Sequence, residues 1–319
     1  MKAKEPDYGE VGFDRIGNRF VNAGATWTPK GWVVDGDLDL GGLRLTRLPL
    51  IKEIRESFDC SHNELTSLEG LPQKVGGGFD CSNNQLVSLK GVPREVLGNF
   101  DCSNNQLVSL KGIPQEVVGS FDCSSNRLTT LEGVSQWVGG SFDCSDNQLT
   151  SLKGAPKVVG KDFHCFHNKL TTLEGAPGKV YGSFCCNGNE LFSLKGVPAG
   201  HFKVGVNFNC SDNKLISLEG APETIHGDFD CNGNRLVTLE GAPSEVPGFF
   251  DCSSNYLEIL KGVPQKVGRN FFCGNNRLTT LGGAPKEVGG SFYCSNNRLT
   301  SLEGAPKELG GEIRSDFDF

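Results

Sequence analysis

A 21-residue repeat constrains the fold of this chain more than any other feature. Its unit reads F-D-C-S-x-N-x-L-x-S-L-x-G-x-P-x-x-V-x-G-x. One unit cannot bury its apolar side alone, so the copies must stack into a solenoid with a continuous core. One step, between Cys186 and Cys210, measures 24 residues instead of 21. The twelve copies begin at Phe58, Phe79, Phe100, Phe121, Phe142, Phe163, Phe184, Phe208, Phe229, Phe250, Phe271 and Phe292.

The columns of the repeat predict its local structure. Phe and Cys alternate with Asp, which indicates a short strand with Phe and Cys in the core and Asp facing outward. The two Leu columns and the Val column fill the same core, and Asn satisfies backbone groups where the chain turns. Gly and Pro mark the return turn. The predicted fold is a mostly-β repeat solenoid with one parallel strand per coil. Irregular or 3-10 segments are expected on the outer side.

The ends of the repeat array suggest three regions. Residues 1–37 are expected to form an N-terminal cap with a hairpin, because an open solenoid end exposes its core. Residues 38–312 form the predicted solenoid, and residues 313–319 a partial repeat or C-terminal cap. Phe317 and Phe319 are expected to cover the last coil. An edge for self-association is the alternative, and otherwise a monomer is expected.

Composition limits the classes of function. Twelve of the 13 Cys follow the repeat, which favours buried free thiols over disulfides and a reducing cytoplasm, of the source cell or of a host. A net charge of −7 does not favour direct nucleic-acid binding. The first residues lack the apolar core of a signal peptide, and no apolar run is long enough to cross a membrane.

The pattern F-x-C-x-x-N-x-L-x-x-L-x-G-x-P resembles the leucine-rich repeat, with Phe and Cys in strand positions usually filled by Leu. Its short period and its Pro are similar to the bacterial short-repeat class of effectors and some phage proteins. The resemblance covers roughly residues 38 to 315. It implies a right-handed horseshoe that binds a partner on its concave sheet face. Some such effectors carry a separate ubiquitin-ligase domain with a catalytic Cys, but the residues outside the repeats are too few, and that activity is not expected.

The outward strand position defines a column that we call the face row. Six Asp side chains about 5 Å apart would repel one another. One explanation is that repeat duplication copied the Asp, and that neighbouring Ser, Asn and water screen the charges. The alternative is that the row attracts a basic partner. Along the chain the face row reads Asp39, Asp59, Asp80, Asp101, Asp122, Asp143, His164, Cys185, Asn209, Asp230, Asp251, Phe272, Tyr293 and Arg314.

Departures from the repeat gather in two places. His164, Phe166, His167 and Cys185 change the surface at mid-chain, and Phe249, Phe272 and Tyr293 form a second group. Exposed aromatic and His side chains suit a protein-binding hot spot. A zinc site that also uses Asp143 is a weaker interpretation, since no metal-ligand spacing supports it, and drift among tolerant positions is a third. A Cys185–His164 nucleophile and base lacks a pocket and oxyanion donors, so no enzyme activity is expected.

The sequence therefore predicts a non-enzymatic scaffold, without a cofactor or a metal, that binds a protein partner of basic surface. One alternative is a phage- or bacterium-encoded inhibitor of a host nucleic-acid-binding or defence protein. The other is a small-ligand or metal site at mid-solenoid. The candidate partner-binding residues are Asp101, Asp122, Asp143, His164, Phe166, His167, Cys185, Asp230, Asp251, Phe249, Phe272 and Tyr293.

Overall fold

The computed structural model describes residues 13–114, 117–197 and 202–316. The chain divides into two compact units, which consist of residues 1–148 with 154–156 and of residues 149–153 with 157–319. The predicted covering role of Phe317 and Phe319 lies outside the described residues. The region boundaries at residues 37 and 312 stay a prediction.

Each repeat supplies one two-residue strand to a parallel ladder, as predicted. The paired strands are in register, so that Phe58 lies beside Phe79 and Asp59 beside Asp80. In the first unit the strands are Leu38–Asp39, Phe58–Asp59, Phe79–Asp80, Phe100–Asp101, Phe121–Asp122 and Phe142–Asp143. In the second unit they are Phe163–His164, Phe184–Cys185, Phe208–Asn209, Phe229–Asp230, Phe250–Asp251, Phe271–Phe272, Phe292–Tyr293 and Ile313–Arg314.

The core of each unit is a column of stacked Phe rings beside the buried Cys and Leu columns. In the first unit Phe58, Phe79 and Phe100 lie 5.6 and 5.7 Å apart between successive ring centroids. In the second unit Phe250 and Phe271 are 5.7 Å apart with planes at 11°. These rings are at most 1% exposed. Stacking and burial of this kind stabilise neighbouring coils together.

The Asn ladder joins each coil to the one before it. The Asn84 amide nitrogen donates to the carbonyl oxygens of Cys60, Cys81 and Ser82 at 3.0 to 3.2 Å. Its side-chain oxygen accepts from the backbone N–H of Leu65 at 3.0 Å. This confirms the role assigned to Asn from the sequence, because these backbone groups are buried and have to be paired.

The outer side of each coil consists of turns and bends that also contain short strands, which the sequence did not indicate. In the first unit these strands are Ile51–Ile54, Lys74–Val75, Glu95–Val96 and Trp137–Val138. In the second unit they are Val158–Val159, Lys179–Val180, Lys203–Val204, Glu245–Val246, Lys266–Val267, Glu287–Val288 and Glu308–Leu309. In the two-residue strands that end in Val, this Val is buried, which accounts for the Val column.

An N-terminal helix, Phe13–Asn22, precedes an antiparallel hairpin of strands Thr26–Thr28 and Gly31–Val34. The sequence indicated the hairpin but not the helix. Phe20 is fully buried and stacks on Trp32 at 4.5 Å. Arg19 forms an ion pair with Asp39 of the first ladder strand. The helix therefore contacts the start of the repeat array, and its function as a cap stays a prediction.

After the three-residue insertion near residue 200, the partly buried Phe202 packs beside two core Phe rings. Phe202 packs edge-on against Phe184 at 5.1 Å and against Phe208 at 5.7 Å. The coil with the longer, 24-residue spacing therefore has an extra aromatic contact with two core Phe rings of the second unit.

Candidate functional site

The face row in the first unit is an unbroken series of half-exposed or exposed carboxylates. Asp101 lies beside Asp80 and Asp122 on the neighbouring strands, and Asp122 lies beside Asp143. The Phe and Cys side chains that alternate with them point into the core. The sequence therefore placed Asp101, Asp122 and Asp143 on one surface, and the structure brings them together there.

These carboxylates also have a structural role that the sequence analysis missed. One Asp oxygen accepts the backbone N–H of the residue two positions on, as Asp101 does from Ser103 at 2.9 Å. The same bond recurs at Asp122, Asp143 and Asp251. An Asp side chain that accepts the backbone N–H two residues further along the chain is typical of an Asx turn. The Asp column is therefore explained in part by the fold itself.

Partial burial raises the pKa of several carboxyl groups in the face row. Partial burial, with the neighbouring Asp122 and Asp143 adding to it, raises the pKa of Asp101 above its ordinary value. Partial burial is also the main cause that raises the pKa of Asp230 to about 6, and the adjacent Asp251 contributes. A carboxylate that is costly to ionise gains when a cation comes to it. The row is therefore suited to a basic partner.

In the second unit the face row changes its chemistry along the ladder. His164 lies beside Cys185, Cys185 beside Asn209, and Asn209 beside Asp230. Asp230 is followed by Asp251, and then by two aromatic residues and an arginine. The unit thus presents an imidazole, a thiol, an amide, two carboxylates and two aromatic rings in register.

Phe166 is half-buried beside two imidazoles. Its ring centroid lies 5.8 Å from that of His164 and 5.2 Å from that of His167, the latter edge-on. His167 is exposed and has a φ of 49°, in the left-handed region. The three side chains form one small cluster, which Cys185 joins only as a strand neighbour of His164.

His167 is less distinctive than the sequence suggested. The same turn position has a positive φ in the other coils, where Asn, Ser, Asp and Gly are common, and His62 occupies it in the first unit. A Cβ on Gly188 would lie 2.4 Å from the His167 ring, so that Gly188 leaves space for it. Part of this departure is therefore explained by turn geometry.

An open cavity of about 310 Å³ lies on the strand face of the second unit. His164 and Cys185 line one part of it and Phe249 another. Asp162, Asp228 and Asp230 supply carboxylates, and the remaining lining is mostly Ser and Asn. We call it the central cavity. Its volume and its acidic lining are suited to one basic side chain.

A polar ladder runs along the position just before most of the core Phe residues, and the repeat pattern did not indicate it. In the second unit the Asn207 side-chain oxygen accepts the N–H of Asp228 at 2.7 Å, and Asp228 accepts that of Phe249 at 2.9 Å. Ser, Asn and Asp alternate in this position because each offers an acceptor oxygen. Phe249 offers none, and it interrupts the ladder.

Phe249 belongs instead to an aromatic cluster with Phe272 and Tyr293. Phe249 and Phe272 meet edge-on at 6.1 Å, and Phe272 stacks on Tyr293 at 4.6 Å. Arg314 lies over the Tyr293 ring at 5.6 Å. All three aromatic residues are partly exposed and occupy positions that hold Ser, Asn or Asp in most coils. The structure thus brings together the second group of sequence departures.

The cysteines differ in access. All 13 are free thiols, and Cys185 alone among them is not buried. Burial raises the pKa of the ladder thiols, for example those of Cys123 and Cys252, well above the ordinary value. In the described part of the chain, no group of three or more His, Cys, Asp or Glu side chains could hold a metal ion.

Solved structures of similar fold come from bacteria and elsewhere. YopM, a leucine-rich effector protein from Yersinia pestis, matches with a TM-score of 0.59 and 18% identity over 98% of this chain and 95% of that one. The chain has the leucine-rich-repeat fold. YopM from Yersinia enterocolitica gives a TM-score of 0.53 at 19% identity over 98% and 84% of the two chains. A structure of the LRIM1/APL1C complex gives 0.57 at 19% identity over 82% and 52%.

No protein-family model matches the chain, and no curated protein sequence matches it. Among the described residues, no helix has the length and apolar content needed to cross a membrane.

Proposed function

We propose that the protein is a non-enzymatic scaffold that binds a protein partner of basic surface through the strand face of its second unit. The observation that carries the proposal is the aromatic cluster. Phe249, Phe272 and Tyr293 replace residues that serve the fold, and they contact one another on a surface that the fold does not require to be aromatic. Clustered aromatic side chains supply much of the binding energy at protein interfaces.

The charge of the same face supports a basic partner. Asp230 and Asp251 adjoin the aromatic cluster along the ladder, and Asp230 also lines the central cavity. A Lys or Arg side chain of the partner would enter the central cavity and meet three carboxylates, with Phe249 at its edge. Complementary charge of this kind speeds association and favours the correct partner. In the first unit Asp101, Asp122 and Asp143 form an acidic surface of the same kind.

The similar structures support a protein as the partner. One is described as a leucine-rich effector protein and another as the LRIM1/APL1C complex. By this analogy the chain would act as a bacterial or phage inhibitor of a host protein, in a reducing cytoplasm. The 13 free thiols are consistent with such a compartment.

The test replaces the aromatic cluster with residues that the repeat already uses. In Phe249→Asn/Phe272→Asn/Tyr293→Asn, the first change restores the acceptor of the polar ladder. The other two copy Asn209, whose side chain accepts the N–H of Ser211 at 2.9 Å. The fold should therefore persist, which circular dichroism and thermal unfolding check. The partner is captured from host extract, purified and titrated by calorimetry.

We expect the triple variant to weaken binding by about 100-fold, because two or three interface anchors are lost. The matched control is Val87→Thr/Val108→Thr. It removes side chains that are 56% and 57% exposed, from a position where Thr is common, and away from the strand face. Equal affinity of the wild type and the triple variant, or loss of binding in the control alone, would show that the strand face is not the binding surface.

A further inference from the structure

A second charged surface lies along the edge of the second unit, one position after the Asn ladder. This position follows the Asn in every coil, and it is exposed in four successive coils of the second unit. In these four coils it carries three arginines and one tyrosine, a series that we call the arginine row: Arg235, Tyr256, Arg277 and Arg298.

Backbone hydrogen bonds hold the arginine row in register. The N–H groups of Arg235, Tyr256, Arg277 and Arg298 each donate to a Leu carbonyl of the preceding coil, at 2.8 to 3.0 Å. Neighbouring members are therefore separated by one coil spacing, about 4.8 Å. The Arg277 guanidinium lies over the Tyr256 ring at 4.4 Å, so that the aromatic residue supports a cation instead of covering apolar surface.

The fold does not require cations at this position. In the first unit the same column reads Glu64, Gln85, Gln106, Arg127 and Gln148. Elsewhere in the second unit exposed cations pair with acids on the next coil, as Lys261 does with Glu240. Among the described residues, by contrast, the three arginines of the row form no ion pair with an acidic side chain.

Acidic side chains are scarce in the two columns that flank the arginine row. The preceding turn position is neutral in all four coils, with Gly233, Ser254, Asn275 and Asn296. The following exposed position is Val237, Glu258, Thr279 and Thr300, which supplies one acid. Two further carboxylates lie at the ends of the row, where Asp212 adjoins Gly233 and Asp316 accepts the N–H of Asn296. Adjacent guanidinium groups such as those of Arg277 and Arg298 repel each other, and an anion between them would relieve the repulsion.

We propose that the arginine row binds an acidic segment of a protein, through its Asp or Glu side chains. The planar guanidinium group matches a carboxylate with two parallel hydrogen bonds. The row extends over three coil spacings, about 15 Å, which is the length of about five residues of extended chain. A nucleic acid fits poorly, because three cations face the high charge density of its backbone on a chain of net charge −7.

The experiment uses the full chain and a fluorescein-labelled ten-residue peptide of alternating Glu and Ser, titrated by fluorescence anisotropy at low salt. The test variant is Arg235→Gln/Arg277→Gln/Arg298→Gln. Gln already occupies this position at Gln85 and Gln106, so that the fold should tolerate the change. The matched control is Arg127→Gln, an exposed arginine in the same column of the first unit.

We expect the triple variant to bind the acidic peptide about tenfold more weakly, since three exposed charge pairs are lost, and the control to stay within about twofold of wild type. Unchanged affinity of the triple variant would overturn the proposal. So would a single-stranded DNA oligonucleotide of similar charge that binds the row more tightly than the peptide. The aromatic-cluster variant should keep full peptide affinity, which separates this result from the fate of the proposed function.

Discussion

At Asn255 one side chain completes the hydrogen bonding of two coils. Its amide nitrogen donates to the carbonyl oxygens of Cys231, Cys252 and Ser253 at 3.0 to 3.2 Å. Its oxygen accepts the N–H of Leu236 at 2.9 Å. The side chain is 4% exposed, so water cannot replace these bonds. Loss of the amide would leave the buried N–H of Leu236 unpaired, at a cost of about 1–3 kcal/mol. It would also remove one hydrogen bond from each of three carbonyl groups that keep a second donor.

We therefore expect Asn255→Ala to lower the free energy of unfolding by about 3 kcal/mol or more, measured by urea denaturation. The control is Asn275→Gly, which changes an exposed Asn in the left-handed turn position of the next coil. Gly233 already occupies that position in an earlier coil, so that the control should lose little stability. Equal losses in the two variants would contradict the role of the Asn ladder.

The sequence predicts the structural role of the residues that are the same in most coils. It predicts less about the positions where the residue type varies. Asn255 and Phe250 repeat without exception in type, so that their burial follows from the pattern. The polar ladder before most of the core Phe residues was missed because Asn207 and Asp228 differ in type while sharing one function, the acceptor oxygen. His167 stays a candidate binding residue, and the sequence could not indicate that its position is a left-handed turn, which only the backbone geometry shows.

At the scale of the strand ladder, the stacking of repeats places Asp carboxylates side by side on neighbouring strands. Each Asp is satisfied by its own turn, as Asp230 is by the N–H of Asn232 at 3.1 Å. The parallel register then sets Asp230 beside Asp251. The sequence could indicate this proximity, but not the degree of burial that raises the pKa of Asp230 to about 6. The sequence therefore predicts where these carboxylates lie, but it does not predict their pKa values.

The raised pKa predicts an unusual pH dependence. Between pH 3.8 and about 6 the folded chain holds the Asp230 proton more tightly than the unfolded chain does. This contribution to stability is complete below pH 3.8 and is lost as the pH rises through about 6. We expect Asp230→Asn to raise the free energy of unfolding at pH 7 by about 1–2 kcal/mol, after allowance for partial solvation.

Urea denaturation at pH 4, 5, 6 and 7 measures this effect. The difference between Asp230→Asn and wild type should grow with pH across that range. The exposed Glu303→Gln, away from the face row, should show no such growth. A wild-type chain that is more stable than the variant at pH 7 would contradict the assignment.

At the scale of the whole molecule, the repeat concentrates thiols in the core of a chain that has no disulfide. Twelve of the 13 cysteines are buried, and several donate a weak hydrogen bond to the next coil, as Cys231 does to the Asp251 carbonyl at 3.1 Å. Burial raises the pKa of Cys231 well above the ordinary value, which keeps the thiol protonated and unreactive. The reactivity of these thiols therefore indicates whether the coils of the folded protein open.

We expect iodoacetamide at pH 8 to modify all 13 cysteines of the chain unfolded in urea. Over the same reaction time it should modify only Cys185 of the folded protein. Mass spectrometry measures the number and the positions of the modified cysteines. Cys185 is partly exposed on the strand face, whereas the ladder thiols become accessible only when their coils open. Cys185→Ser should abolish the modification of the native protein. Cys144, buried in the first unit, provides the internal comparison, and its Ser variant should leave native labelling unchanged if the chain still folds. Rapid modification of several ladder cysteines under native conditions would mean that individual coils open independently.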